Sequence, residues 1–81
     1  MEHREGQLKQ VMADVFDIDA NTISDSTSVD SVKEWDSLKH LNLVLALEQQ
    51  FNVTFSVEQT VEMLSYPLIK TVLAEHGVSF K

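Results

Sequence analysis

The sequence predicts an all-α fold of three longer helices, one short helix and a long connecting loop. Three observations carry that prediction. Glycine occurs twice and proline once, too seldom for the turns of a β-rich chain. Apolar residues recur at helical rather than strand spacing. Serine, aspartate and glutamine stand at the offsets that begin helices.

The first helix is read over residues 4–16, where Leu8, Val11, Met12, Val15 and Phe16 fall at i, i+3, i+4, i+7 and i+8 and form one apolar stripe. The stripe stops at DIDANTISDSTSVDSVKEWD, residues 17–36. Short polar side chains there compete for backbone hydrogen bonds and favour turns. Ile18, Ile23, Val29 and Val32 are scattered through it, so a loop pinned onto the core is expected; loops of about 20 residues are uncommon in compact domains and often functional. Trp35 is expected to anchor this loop to the start of the next helix.

The second helix is read from Ser37 to Phe51. At about 100° per residue, Leu43, Val44, Leu47 and Phe51 share one direction and make a core stripe. Leu38, Leu41 and Leu45 share another. A second apolar stripe on so small a chain is either covered by the loop and the third helix or left open as a docking face or pocket mouth. After NVTF, residues 52–55, Ser56 and Gln59 match a capping box that opens a short helix through about Leu64. Ser65 caps the last helix, Pro67 sits in its first turn, Ile69, Val72 and Leu73 form its buried face, and Gly77 ends it.

Eighty-one residues set the expectation of one domain, residues 1–81, burying roughly 60–65% of its unfolded surface. A net charge of −7 makes nucleic acid a poor partner, because phosphate binding relies on Lys and Arg, and suits a partner with a basic patch. The absence of cysteine excludes a protein thiol as nucleophile or metal ligand, so any thiol chemistry must come with a cofactor. MEHREGQL at the N-terminus lacks the apolar core of a secretion signal. The longest uninterrupted apolar run, LVLAL at 43–47, is far short of a membrane span. A cytoplasmic monomer is the expectation.

Two candidate sites are weighed on their residues. Asp17, Asp19 and Asn21 begin like a calcium loop, but Thr22 replaces the turn glycine and Ser28 the bidentate glutamate, so no metal site is expected. Ser37 and His40 are neighbours on a helix, yet nothing in the sequence supplies an oxyanion hole or cleft for hydrolysis; His40 is expected at the surface or boundary. Taken alone, Ser37 reads as an ordinary helix cap, at a helix start that would also tolerate an anion.

Asp-Ser-Leu at 36–38, followed by LALEQQFNVTF at 45–55, is similar to the attachment motif and second helix of acyl carrier proteins, and the resemblance covers essentially the whole chain. It implies a four-helix bundle of acyl-carrier type. It implies that Ser37 carries a 4′-phosphopantetheine arm, installed from coenzyme A by a phosphopantetheinyl transferase with Mg²⁺, and that acyl groups ride as thioesters on the arm. Asp36 and Leu38 would help the transferase recognise the site. Leu41, Leu45, Val61 and Met63 would line the contact surface or the entrance to an acyl pocket, and Asp36 and Glu48 would offer charge to basic acyl-loading and acyl-transferring enzymes. The chain would be a carrier and not an enzyme.

The chain also departs from fatty-acid-synthesis members of that family, whose second helix is strongly acidic. Residues 37–51 hold Lys39, His40 and one acid, Glu48, with Gln49 and Gln50 where carboxylates are usual. Much of the negative charge lies instead at Asp14, Asp17, Asp19, Asp25, Asp30, Glu34 and Asp36. With Trp35 in a position that is usually small, EWDSL resembles stand-alone carriers of specialised lipid, polysaccharide or secondary-metabolite pathways. An aminoacyl or peptidyl carrier, and a helical interaction module without a prosthetic group, are the alternatives.

Overall fold

The computed structural model describes residues 4–78; the first three residues of the N-terminal stretch lie outside that range. Four α-helices follow one another: α1 (Arg4–Phe16), α2 (Ser37–Phe51), α3 (Val57–Glu62) and α4 (Tyr66–Glu75). Among the described residues there is no β-strand. The chain is an all-α bundle of four helices, as its sequence predicts. The long loop also holds one turn of 3₁₀ helix, Ala20–Thr22, which periodicity did not anticipate. Asp19 caps that turn by accepting from Asn21 N–H at 2.9 Å, and α3 stops two residues short of the expected Leu64.

The core is assembled from the stripes read in the sequence. Leu8, Met12 and Phe16 of α1, Leu43 and Leu47 of α2, and Ile69 and Leu73 of α4 are fully enclosed. Phe51 and Val53 pack against this cluster only partly buried. Three helices end in the same left-handed residue, at Asp17 (φ 58°), Asn52 (φ 55°) and Gly77 (φ 87°). In each case the following amide reaches back five residues: Ile18 N–H to Ala13 O at 3.0 Å, Val53 N–H to Glu48 O at 3.2 Å and Val78 N–H to Leu73 O at 3.0 Å. This closure satisfies carbonyls at the helix ends. Asp and Asn tolerate the left-handed region better than most residues, so only one of the three ends required glycine.

The loop is held at its middle and at its far end. Its middle forms an isolated antiparallel bridge, Ser28 with Ser65, flanked by Val29 N–H to Leu64 O at 3.0 Å and Tyr66 N–H to Thr27 O at 2.9 Å. Those bonds tie the loop to the connection between α3 and α4. At its far end Trp35 is only 6% exposed and its ring lies 4.8 Å from that of Phe16, centroid to centroid. Next to that bridge, Tyr66 OH donates to Glu5 at 2.8 Å and Lys70 Nζ lies 3.3 Å from the same carboxylate. The hydroxyl donor first, and then Lys70, hold the Glu5 carboxyl below its ordinary range, so this tie is fully made above that range and fades as pH falls through the lowered value.

Trp35 is therefore a structural keystone of the loop. Trp35→Ala is expected to lower unfolding free energy by about 3–5 kcal/mol, measured by urea denaturation followed by circular dichroism.

Candidate functional site

Helix α2 begins with a division of labour between two adjacent residues. Asp36, in an extended conformation (φ −104°, ψ −175°), places its carboxylate 2.8 Å from Lys39 N–H, and its carbonyl takes the first helical bond from His40 N–H at 2.8 Å. Asp36 is thus the cap. Ser37 is the first helical residue, exposed, and its hydroxyl plays no part in the capping. Reading Ser37 as the cap is therefore corrected: the preceding carboxylate already does that work.

Beside Ser37 lies an open groove of about 430 Å³, lined by Val29, Trp35, Asp36, Ser37, His40 and Leu64. Three segments meet there: the loop through Val29 and Trp35, the first turn of α2, and the connection between α3 and α4 through Leu64. His40 is a boundary residue, half-buried. Its Nδ1 accepts from Trp35 Nε1–H at 3.0 Å, and its Nε2 faces the carbonyl of Thr60 on α3 at 2.6 Å. Both ring nitrogens are engaged away from Ser37, so His40 is not placed as a base for the serine hydroxyl.

The other candidates separate into open and closed positions. Leu38 is 66% exposed, Leu41 55%, Leu45 52% and Val61 62%, so the second stripe of α2 is left open by both the loop and α3. Val57, Leu64 and Leu68 add further exposed apolar area, which the sequence reading did not single out. Two of the expected site residues also serve the fold. Met63 is fully buried; it follows the last turn of α3 and plugs the core, so it lines no outer surface. Glu48 is half-buried and accepts from Phe55 N–H at 2.9 Å, which spends its carboxylate on closing the turn after α2. No sequence signal distinguished these two from their neighbours, because each is decided by a segment outside its own helix. The carboxylates suspected of a calcium loop serve local ends: Asp17 terminates α1 and Asp19 caps the 3₁₀ turn.

The structure thus presents an exposed serine at a helix start, beside an open groove and an uncovered apolar stripe. The family described as "Phosphopantetheine attachment site" matches residues 6–67, which is most of the chain. The chain belongs to that family, and is a carrier for covalent 4′-phosphopantetheine. Carrier domains of this kind are generally non-catalytic and pass between modifying and group-handling enzymes. A comparison with curated proteins gives no match. Among the described residues no helix is long and apolar enough to cross a membrane.

The separation of cap from serine has a direct test. Asp36→Ala is expected to cost about 1 kcal/mol of stability, whereas Ser37→Ala is expected to stay within about 0.5 kcal/mol of wild type. Chemical denaturation of the two variants side by side measures the difference; a larger loss for Ser37→Ala would return the capping role to the serine.

Proposed function

We propose that Ser37 is the attachment residue and that the chain carries acyl groups as thioesters on its 4′-phosphopantetheine arm, for a specialised lipid, polysaccharide or secondary-metabolite pathway. The observation that carries this reading is the exposed Ser37 hydroxyl, excused from capping by Asp36, at the first position of a 15-residue helix. The site fits a phosphodiester. The amide hydrogens at the start of α2 lack helical acceptors, and the helix dipole favours negative charge there. The arm supplies the thiol that this cysteine-free chain lacks, and the protein supplies the tether point and the surface that partner enzymes grip. Asp36 and Leu38 flank that point and are proposed to guide the transferase.

The specialised role is supported by charge. Helix α2 carries Lys39, His40 and the already engaged Glu48, so an enzyme that grips a row of carboxylates on this helix finds none. What α2 and α3 offer instead is Leu38, Leu41, Leu45, Val57 and Val61, all more than half exposed. We read these as the partner-facing surface. Residues 1–81 are proposed to act as one cytoplasmic, monomeric unit. An aminoacyl cargo is the alternative within the same chemistry, and loading assays with fatty acyl and aminoacyl donors separate the two.

Intact-protein mass after incubation with coenzyme A, Mg²⁺ and a broad-specificity phosphopantetheinyl transferase tests the attachment residue. A gain of one phosphopantetheine on the wild type and none on Ser37→Ala is expected; modification of Ser37→Ala would move the site elsewhere. Leu45→Arg is expected to slow use by acyl-transferring enzymes by about tenfold or more while arm attachment stays close to wild type. Equal loss of both rates in steady-state kinetics would remove Leu45 from the partner surface.

A further inference from the structure

Helix α3 is six residues long and none of them is buried. So short a helix has little stability of its own, and something other than apolar packing of its turns must set its place. Two histidines reach it from neighbouring helices. His40 of α2 meets Thr60 O at 2.6 Å, and His76 at the end of α4 meets Gln59 Oε1 at 2.9 Å. Only the first also touches the groove beside Ser37.

The partners of His40 dictate its chemistry. The indole N–H of Trp35 is a donor only, so Nδ1 must accept; the carbonyl of Thr60 is an acceptor only, so Nε2 must donate. The ring is therefore the neutral Nε2–H tautomer, a state that chemistry at the two ends assigns. Its plane lies 22° from that of the Trp35 ring, with centroids 6.2 Å apart. A second proton would put N–H against N–H at Nδ1 and bring a cation against the indole edge. The charged residues on the elements packed around it are Lys33 and Glu34 before Trp35, Asp36 and Lys39 at the start of α2, and Glu58 and Glu62 on α3. Neither ring nitrogen is bonded to any of them, since both are already taken.

We propose that His40 is a positioning residue, a neutral double-ended clamp that ties Trp35 on one side and α3 on the other to the first turn of α2, and so sets the shape of the groove beside Ser37. Partner enzymes thereby meet one fixed arrangement of Ser37, Leu41 and Val61. The functional consequence rests on the reading of Ser37 above; the clamp itself does not.

The test uses the full, unmodified chain, and its optical signal is unambiguous because Trp35 is the only tryptophan. Histidine ¹⁵N spectra are expected to show Nε2–H for His40 at neutral pH. H40Q can accept from Trp35 and donate to Thr60; it is expected to keep wild-type Trp35 emission and to keep α3 protected from amide exchange. H40L can do neither; it is expected to shift the Trp35 emission and to exchange the amides of residues 57–62 about tenfold faster, with α1 little changed. H76Q and S37A are expected to retain wild-type emission. An Nδ1–H tautomer at neutral pH, wild-type emission in H40L, or exchange that quickens equally in α1 overturns the proposal. The tautomer is read on the wild type, so a failure of H40L to fold leaves the test intact. None of these readouts involves arm attachment, so their failure and that of the Ser37 reading are distinguishable.

Discussion

The burial of Trp35 is the constraint on which the rest of the structure depends. A 20-residue polar loop has no reason of its own to lie against a helical bundle, because its side chains satisfy their hydrogen bonds locally or in water. Trp35 changes that balance. Its ring fills the space beside Phe16, and its one polar atom, which would be costly to bury unpaired, finds a partner in His40. Because Asp36 and Ser37 follow directly, seating the indole also sets where α2 begins and which way its first turn faces. The Ser28–Ser65 bridge performs the same task for the middle of the loop, with backbone groups in place of a side chain.

Helix α2 resolves two demands that its sequence alone leaves in tension. One stripe, Leu43, Val44 and Leu47, is buried against the bundle, and supplies the apolar burial that a chain of this size needs. The other, Leu38, Leu41 and Leu45, stays in solvent. Keeping three leucines exposed gains nothing for folding, and a contiguous apolar surface on a small protein ordinarily marks a place where something else binds. The proposed attachment point stands at the N-terminal end of that same stripe. A partner seated on the leucines would have Ser37 at its margin, which is the geometry a carrier needs to deliver a tethered group.

Charge is distributed to match. The carboxylates crowd the end of α1 and the loop, while the face of α2 that is open to solvent is nearly neutral. On the proposed reading, long-range attraction brings a basic partner toward the loop side, and apolar contact on α2 and α3 completes the docking. Such a division separates the rate of encounter from the strength of the complex.

Much of this was legible in the sequence. Helix positions, the capping box at Ser56 and Gln59, and the buried stripes follow from local periodicity and capping, which depend on residues a few positions apart. The Asp-Ser-Leu resemblance pointed to the family for the same reason: a motif is local. What the tertiary structure alone decided are the questions that join distant segments. Whether Leu41 and Leu45 are covered depended on where the loop and α3 come to rest. Met63 and Leu64 are adjacent, yet one is enclosed and the other is 42% exposed, because α3 ends between periodic patterns and the backbone turns there. Glu48 is drawn to an amide seven residues on, and His40 to a carbonyl twenty residues on. Hydrogen-bond partners at such separations leave no period in the sequence; they exist only once the helices have packed.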